Sequence, residues 1–175
     1  HLSKSSVETM KQDEIKVLDI LEQHAKESVD EIAKRCGFSH QKVWRIIKNL
    51  EKNKIIWGYS AIADGESRDF KHFILLVKRK PVPLDSSLKN EIIFEKLDGY
   101  TPDSVKIENI FFTYGSFDAV LTFYAIDLVN AKKFTQVAFK KLEKYIENYL
   151  LIETLLPIRK QGLKNPQIKK IVQYL

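Results

Sequence analysis

The sequence is short of the residues that staple a chain, ligate a metal or break up a fold. Its 175 residues include one cysteine, Cys36. A single cysteine cannot close an intramolecular disulfide and leaves no cysteine-based zinc site, so a reducing, cytoplasmic setting is expected. Glycine and proline number only 6 and 5, too few for a low-complexity or collagenous chain. No apolar run approaches the roughly 20 residues that span a bilayer. The opening His1-Leu2-Ser3-Lys4-Ser5-Ser6 carries no hydrophobic signal segment, and no membrane partner is expected. The histidines His1, His24, His40 and His72 show no metal-ligand spacing. No HExxH helix, nucleophile elbow or glycine-rich phosphate loop occurs. The carboxylate pairs Asp13-Glu14 and Asp30-Glu31 fall in first turns of helices, where they complement the helix dipole. The expectation is a protein that is not an enzyme, with no cofactor and no metal.

What is present is a globular composition, 44% hydrophobic and 30% charged, with a net charge of +6. The distribution of that charge says more than its sum. Residues 1–64 carry +1, yet Ser39 to Lys54 holds Lys42, Arg45, Lys48, Lys52 and Lys54 against Glu51 alone. Pro157 to Leu175 holds Arg159, Lys160, Lys164, Lys169 and Lys170 with no acid. Clusters of this kind attract polyanions, although a solvated face gives the same pattern.

Hydrophobic spacing places three helices first. Ile15, Leu18 and Leu21 predict a helix from Asp13 to about His24, with Asp13 accepting free N–H groups at its start. Ser28-Val29-Asp30-Glu31 is a capping box opening a short second helix that Gly37 stops. Ser39 caps a third, in which Val43, Ile46, Ile47 and Leu50 form one buried stripe. The opposite side presents His40, Gln41, Lys42, Trp44, Arg45, Lys48 and Asn49. Two helices joined by a short glycine-containing turn, the second exposing long basic and amide side chains, make a helix-turn-helix. Such side chains reach base edges in the major groove. Residues Ile55 to Asp64 are β-branched and aromatic and read as a strand pair, the wing of a winged helix. Gly65 to Asp69 reads as a linker.

From His72 the texture changes. Phe73 to Val77 is a strand ended by Pro81 and Pro83. Ser86 to Leu97 is a helix capped by Asp85 or Ser86. Val105 to Tyr114 and Phe117 to Ala125 are strands joined at Gly115-Ser116. Leu128 to about Tyr145 is a helix, and Leu151 to Ile158 a last strand. The order βαββαβ is ferredoxin-like, an antiparallel sheet with two helices on one face. The strands are apolar on both faces, so the uncovered face is expected to meet a second copy.

In sum the fold class is α+β: a winged helix-turn-helix domain over 13–64 after an N-terminal extension, 1–12. A linker (65–71) leads to the ferredoxin-like domain (72–160) and a basic tail (161–175) with a short helix.

The ordered set Asp13-Glu14-Ile15, Leu18, Leu21, Ser28, Ile32-Ala33, Gly37-Phe38-Ser39, Val43, Leu50-Glu51, Ile55-Ile56 and Gly58-Tyr59-Ser60-Ala61 resembles the winged helix of Lrp/AsnC transcription regulators. Tyr114 to Leu121 resembles the Gly-x-Tyr/Phe-Asp motif of that family's ligand-sensing domain, and Glu153-Thr154-Leu155-Leu156 its final strand. The similarity spans about Asp13 to Lys160. There are departures, as in a divergent, archaeal-type member. The family's usual third-helix Arg falls on Ile46, with Arg45 one position earlier. Lys54 stands where a Gly usually precedes the wing, with Asn53 expected to take the left-handed conformation instead. The segment before Val105 is long, and the tail exceeds the family's usual end.

The resemblance implies a sequence-specific DNA-binding regulator that is a homodimer, assembling further into tetramers or octamers. It also implies an amino acid or similar small effector, held near Gly115, Ser116 and Asp118, with Thr154 a further candidate. For double-stranded DNA the candidates are His40, Gln41, Lys42, Trp44, Arg45 and Lys48. Gln41 and Arg45 are expected to read bases, and Lys42 and Lys48 to hold phosphates. Trp44 is expected to pack against the wing or linker, and Cys36 to fill the core. Two other readings remain open. Tetrapyrrole-modifying decarboxylases share this two-domain plan with histidine and arginine at the substrate pocket, for which His72 and Arg79 alone are thin support. A sensing or interaction protein without DNA binding is the other.

Overall fold

The computed structural model describes residues 10–93 and 101–175. Residues 1–9, most of the expected N-terminal extension, and the end of the Ser86–Leu97 helix lie outside them. The chain divides into two compact units, one made of the residues up to Ile62 together with Ile158–Leu175, the other of Ala63–Pro157. The basic tail therefore belongs to the first unit.

In that unit α1 (Gln12–His24), α2 (Val29–Cys36) and α3 (His40–Lys52) pack around Val17, Leu21, Ile32, Ala33, Val43, Ile47 and Leu50. Each helix is positioned by local chemistry. Glu14, not Asp13, accepts a backbone N–H at the start of α1, from Lys11 at 3.1 Å; Asp13 turns outward to an ion pair instead. Ser28 and Glu31 cap α2 reciprocally, at 3.2 and 2.8 Å. Gly37 ends α2 with φ +70 and its N–H on the Lys34 carbonyl, the left-handed stop that glycine supplies without steric cost. Cys36 is buried, and burial pushes its thiol pKa up.

The wing departs from expectation. Residues 55–64 form no strand, and Trp57 is 95% exposed. A β-favouring composition needs a partner strand, and neither half of this segment provides one for the other. The residue in the left-handed conformation is Lys54 (φ 59), while Asn53 stays at φ -83 as the cap of α3. The last turn of α3 holds the Asn53 N–H on the Asn49 carbonyl, so the reversal falls one residue later.

The second unit is a four-stranded antiparallel sheet of β1 (Lys71–Arg79), β2 (Val105–Phe112), β3 (Ala119–Ala125) and β4 (Ile146–Glu153), in the order β2-β3-β1-β4. Helix α4 (Ser86–Ile93) follows β1 and α5 (Leu128–Leu142) follows β3. This is the expected ferredoxin-like order. Asp85 caps α4 through the Leu88 N–H at 2.8 Å and also accepts the Tyr145 hydroxyl. Phe73 and Phe123, both fully buried, stack at 5.5 Å, and Phe134 of α5 meets Phe123 edge-on at 5.1 Å.

Three boundaries moved. The last strand is Ile146–Glu153 rather than Leu151 to Ile158, because α5 ends at Leu142 and the buried Tyr145 leads into the strand. The strands either side of Gly115 each stop short of the turn, leaving a loop at 113–118 that Thr113 and Asp118 close by a backbone bond of 3.0 Å. Gly65 to Asp69 is no free linker. It contains a 3-10 turn (Glu66–Arg68), and Gly65 is buried where an added Cβ would meet the Tyr124 ring at 2.5 Å. In the tail, β5 (Arg159–Lys160) and β6 (Leu163–Lys164) form a hairpin before the short α6 (Ile168–Ile171). No helix among the described residues is long and apolar enough to cross a membrane.

A methyl group added at Gly37 meets nothing within 4 Å, so Gly37→Ala isolates the backbone cost of the turn. It is expected to lower stability by about 1–2 kcal/mol, read as a shift of the urea midpoint by circular dichroism.

Candidate nucleic-acid interface

Helix α3 is oriented by what it buries. Val43, Ile46, Ile47 and Leu50 are in the core, and the Ser39 hydroxyl accepts the Lys42 N–H at 3.2 Å to fix the first turn. The remaining side chains must face outward. His40, Gln41, Trp44, Arg45, Lys48, Asn49 and Lys52 are all exposed.

The outward set then separates by what each side chain already holds. His40 Nδ1 sits 2.6 Å from an Asp30 carboxylate oxygen, joining the first turns of α3 and α2. Lys42 pairs with Asp13 at 2.6 Å and lies 4.0 Å over the Phe38 ring. Lys48 donates to Glu51 at 3.2 Å. Gln41, Arg45, Asn49 and Lys52 have no partner among the described residues. An exposed ion pair is worth only about 0–1 kcal/mol, so Lys48 can leave Glu51 cheaply. Releasing Lys42 costs more, because both a carboxylate and a ring face hold it. The side chains therefore divide by what holds them: Gln41 and Arg45 are free, Lys48 is held only by an exposed ion pair, and Lys42 helps clamp α1 to α3. Asn49 and Lys52 share the exposed side and likewise have no partner among the described residues.

Trp44, 51% exposed, lines a cleft of about 300 Å³ with Leu21, Ala25, Val29, Ile47 and Tyr59. Its side chain thus shares this cleft with Tyr59 of the segment that follows α3. Tyr59 donates to Glu51 at 3.0 Å. Burial raises the phenol pKa to about 12, and the bond to Glu51 adds to the shift. The Glu51 carboxyl is lowered, first by the Tyr59 bond and then by Lys48. Tyr59 thus anchors the middle of the non-strand segment to α3.

The effector candidates do not gather in one place. Gly115, at φ +145, and Ser116 are exposed in the β2–β3 loop. Asp118 lies beside them, with its carboxylate accepting the Arg79 N–H at 2.7 Å and forming a loose ion pair with Lys78 Nζ at 3.9 Å. Thr154 instead bonds His72, hydroxyl to Nδ1 at 2.6 Å and N–H to carbonyl at 2.9 Å. His72 and Arg79 stand at opposite ends of β1, about 23 Å apart along the strand. Within one protomer, then, Thr154 is remote from Gly115, Ser116 and Asp118, and His72 is remote from Arg79. His72 Nε2 meets Glu108 at 2.6 Å. Glu108 reaches it from the bulge between Ile107 and Asn109. Sequence spacing gave no sign of this cluster, whose members are far apart in the chain.

Residues 14–56 match the family model for winged helix-turn-helix DNA-binding domains. No curated protein matches the sequence. Among solved structures, an AsnC family transcriptional regulator from Agrobacterium tumefaciens superposes with a TM-score of 0.68 at 21% identity, over 91% of this chain and 99% of that one. A Neisseria meningitidis transcriptional regulator solved in complex with L-Met gives 0.67 at 18%, over 95% and 100%. LrpC of B. subtilis gives 0.63 at 17%, over 86% and 98%.

Because Glu51 is held below its ordinary value of 4.5, its contribution to stability is present above that pH and is lost as pH falls through its folded value. Tyr59→Phe removes the larger cause. Its expected effect is an upward move of the Glu51 titration toward 4.5, followed by carboxyl NMR. An unmoved titration would place the cause elsewhere. In fold, from the helix-turn-helix through the four-stranded sheet, the chain stands with the Lrp/AsnC-type transcription regulators.

Proposed function

We propose that the chain is a sequence-specific DNA-binding transcription regulator acting as a homodimer. The observation that carries this reading is the outward side of α3, where Gln41, Arg45 and Asn49 have base-reading chemistry and no competing partner. Arg is suited to guanine, and Gln and Asn to adenine, each in bidentate contact. Lys48 and Lys52 flank them for phosphates. Its local positive charge sits in a stretch, residues 1–64, of net +1 only, so a single copy grips DNA weakly and tight binding calls for two.

The sheet supports the pairing. Ile74, Leu76, Val120, Phe111, Leu150 and Ile152 share the face away from the buried Phe73, Leu75 and Val77, by the strand register. Phe111, Leu150 and Ile152 are exposed there, the kind of patch that marks an interface. An amino-acid effector is the finer part of the proposal, prompted by the L-Met complex of the Neisseria protein. The loop at Gly115-Ser116 supplies free backbone groups, and Arg79 Nε is buried without a partner among the described residues, a donor suited to a carboxylate. Asp118, already held by the Arg79 N–H, offers its second oxygen to an ammonium group.

In binding-site selection followed by gel shift, Arg45→Ala is expected to cost about 1–3 kcal/mol on the selected operator and to relax preference at one base pair. An unchanged preference removes Arg45 from the base readers. Leu76→Glu places a charge in the centre of the open sheet face. It is expected to sediment as a monomer and to lose most operator affinity, and a wild-type protein that is itself monomeric at micromolar concentration refutes the sheet-paired dimer.

A further inference from the structure

The tail carries an unbalanced charge that the helix-turn-helix reading does not use. Arg159, Lys160, Lys164, Lys169 and Lys170 occur over the last nineteen residues without one acid, and all but Lys160 are exposed. The segment belongs to the same compact unit as α1, α2 and α3. It is also that unit's β-ribbon, since residues 55–64 form none.

The hairpin is built at local expense. Gln161 (φ 48) and Gly162 (φ 81) are the two central residues of its turn, both left-handed as a type I′ turn requires. Glutamine resists that conformation. The Arg159 guanidinium holds the turn by donating to the Gly162 carbonyl at 2.7 Å. Across the ribbon Arg159 stands directly opposite Lys164, and like charges so placed repel. A strained turn and a like-charge pair in one four-residue ribbon are local rules broken together, which is expected where function compensates. A polyanion lying on the ribbon relieves the repulsion.

Its position suits that partner. The turn lies against the last turn of α1, where a Cβ on Gly162 would come within 3.6 Å of the Gln23 amide nitrogen. The other end of α1 is clamped to the start of α3 by Asp13 and Lys42. Gln23 and Asp13 are about 15 Å apart along the helix axis, whereas the major groove is roughly 12 Å wide. The hairpin thus stands at the far end of α1 from the start of α3, a separation larger than the width of the groove α3 would occupy.

We propose that the C-terminal basic hairpin is a second DNA-contact element, which takes duplex phosphates outside the groove occupied by α3. The proposal rests on the regulator reading above. Backbone contacts carry no sequence information, so the hairpin adds affinity and salt sensitivity to operator and random DNA alike.

The test compares the full-length protein with a variant carrying Arg159→Gln, Lys164→Gln, Lys169→Gln and Lys170→Gln, and with a charge-keeping variant carrying Arg159→Lys, Lys164→Arg, Lys169→Arg and Lys170→Arg. Affinity for operator and random duplexes is measured across a salt series. Each phosphate contact adds roughly 0.9 to the log–log slope. The Gln variant is expected to lose about 2 to 4 from the slope per protomer, with the ratio of operator to random affinity unchanged. The charge-keeping variant is expected to match wild type. Amide hydrogen exchange on the wild-type protein gives an answer independent of any variant's folding, as residues 158–164 gain protection when random duplex is added. A Gln variant with wild-type slope and affinity, or a hairpin whose exchange ignores DNA, overturns the proposal. So does a Gln variant that changes sedimented mass but not the slope, which makes the tail a contact between protomers. If wild type binds no duplex at all, the regulator reading fails first; if wild type binds and Arg45→Ala weakens it while the Gln variant does not, the tail proposal alone fails.

Discussion

A four-stranded sheet has two faces, and α5 with its neighbours fills the one lined by Phe73, Leu75, Val77 and Phe123. The opposite face is apolar along Leu150–Leu76–Val120–Phe111 and at Ile152–Ile74, whose row continues into Thr122 and Asn109, bonded to each other at 2.9 Å. At one end its polar groups satisfy each other, His72 bridging Thr154 and Glu108, with Tyr124 edge-on to the imidazole at 5.0 Å. Burying the half-exposed remainder of about six such side chains per protomer is worth on the order of 10 kcal/mol for a pair. Association costs roughly 4–15 kcal/mol. The balance is close, so pairing through this face is expected to respond to anything that adds a few contacts, including DNA or a small ligand.

The DNA-facing side of α3 is set by a similar economy. Four buried positions fix the helix rotation, and contacts with neighbouring carboxylates then decide which outward side chains remain free. His40 and Lys42 are committed to Asp30 and Asp13. Arg45 is not, and it sits in the middle of the exposed side. The one-position shift of this arginine relative to the resembled family is thus a shift of the free donor itself, with Ile46 serving the core in its place.

How much of this was readable in the sequence depended on the range of the signal. The three helices, the caps of α2 and α3, the βαββαβ order and the two-sided strands rest on residues within a few positions of one another, and spacing displayed them; at the start of α1 the acceptor is Glu14 rather than the expected Asp13. Tyr145 continued the helical rhythm of Ala131, Phe134, Ala138 and Leu142, yet it also suits the first buried position before a strand, and the chain uses it that way. The wing had strand composition without a strand to pair with, and only three-dimensional neighbours decide that. Thr154 was set beside Asp118 only by what the family resemblance implies; the length of β1 separates them. The His72–Glu108–Thr154 cluster depends on a bulge that advances Glu108 out of register, which no local pattern announces. The attachment of the tail to the first unit is likewise a matter of long-range packing.

Both tryptophans of the chain, Trp44 and Trp57, belong to the first unit, one on α3 and the other on the strandless segment after it. The sheet unit has none. Tryptophan emission therefore reports on one half of the molecule only. A duplex arriving at α3 changes the surroundings of Trp44 directly, whereas a small molecule binding at the Gly115 loop leaves the tryptophan emission unchanged unless its effect crosses into the other unit. The chain carries, without any label, a means of telling occupancy of the sheet unit apart from transmission of a signal.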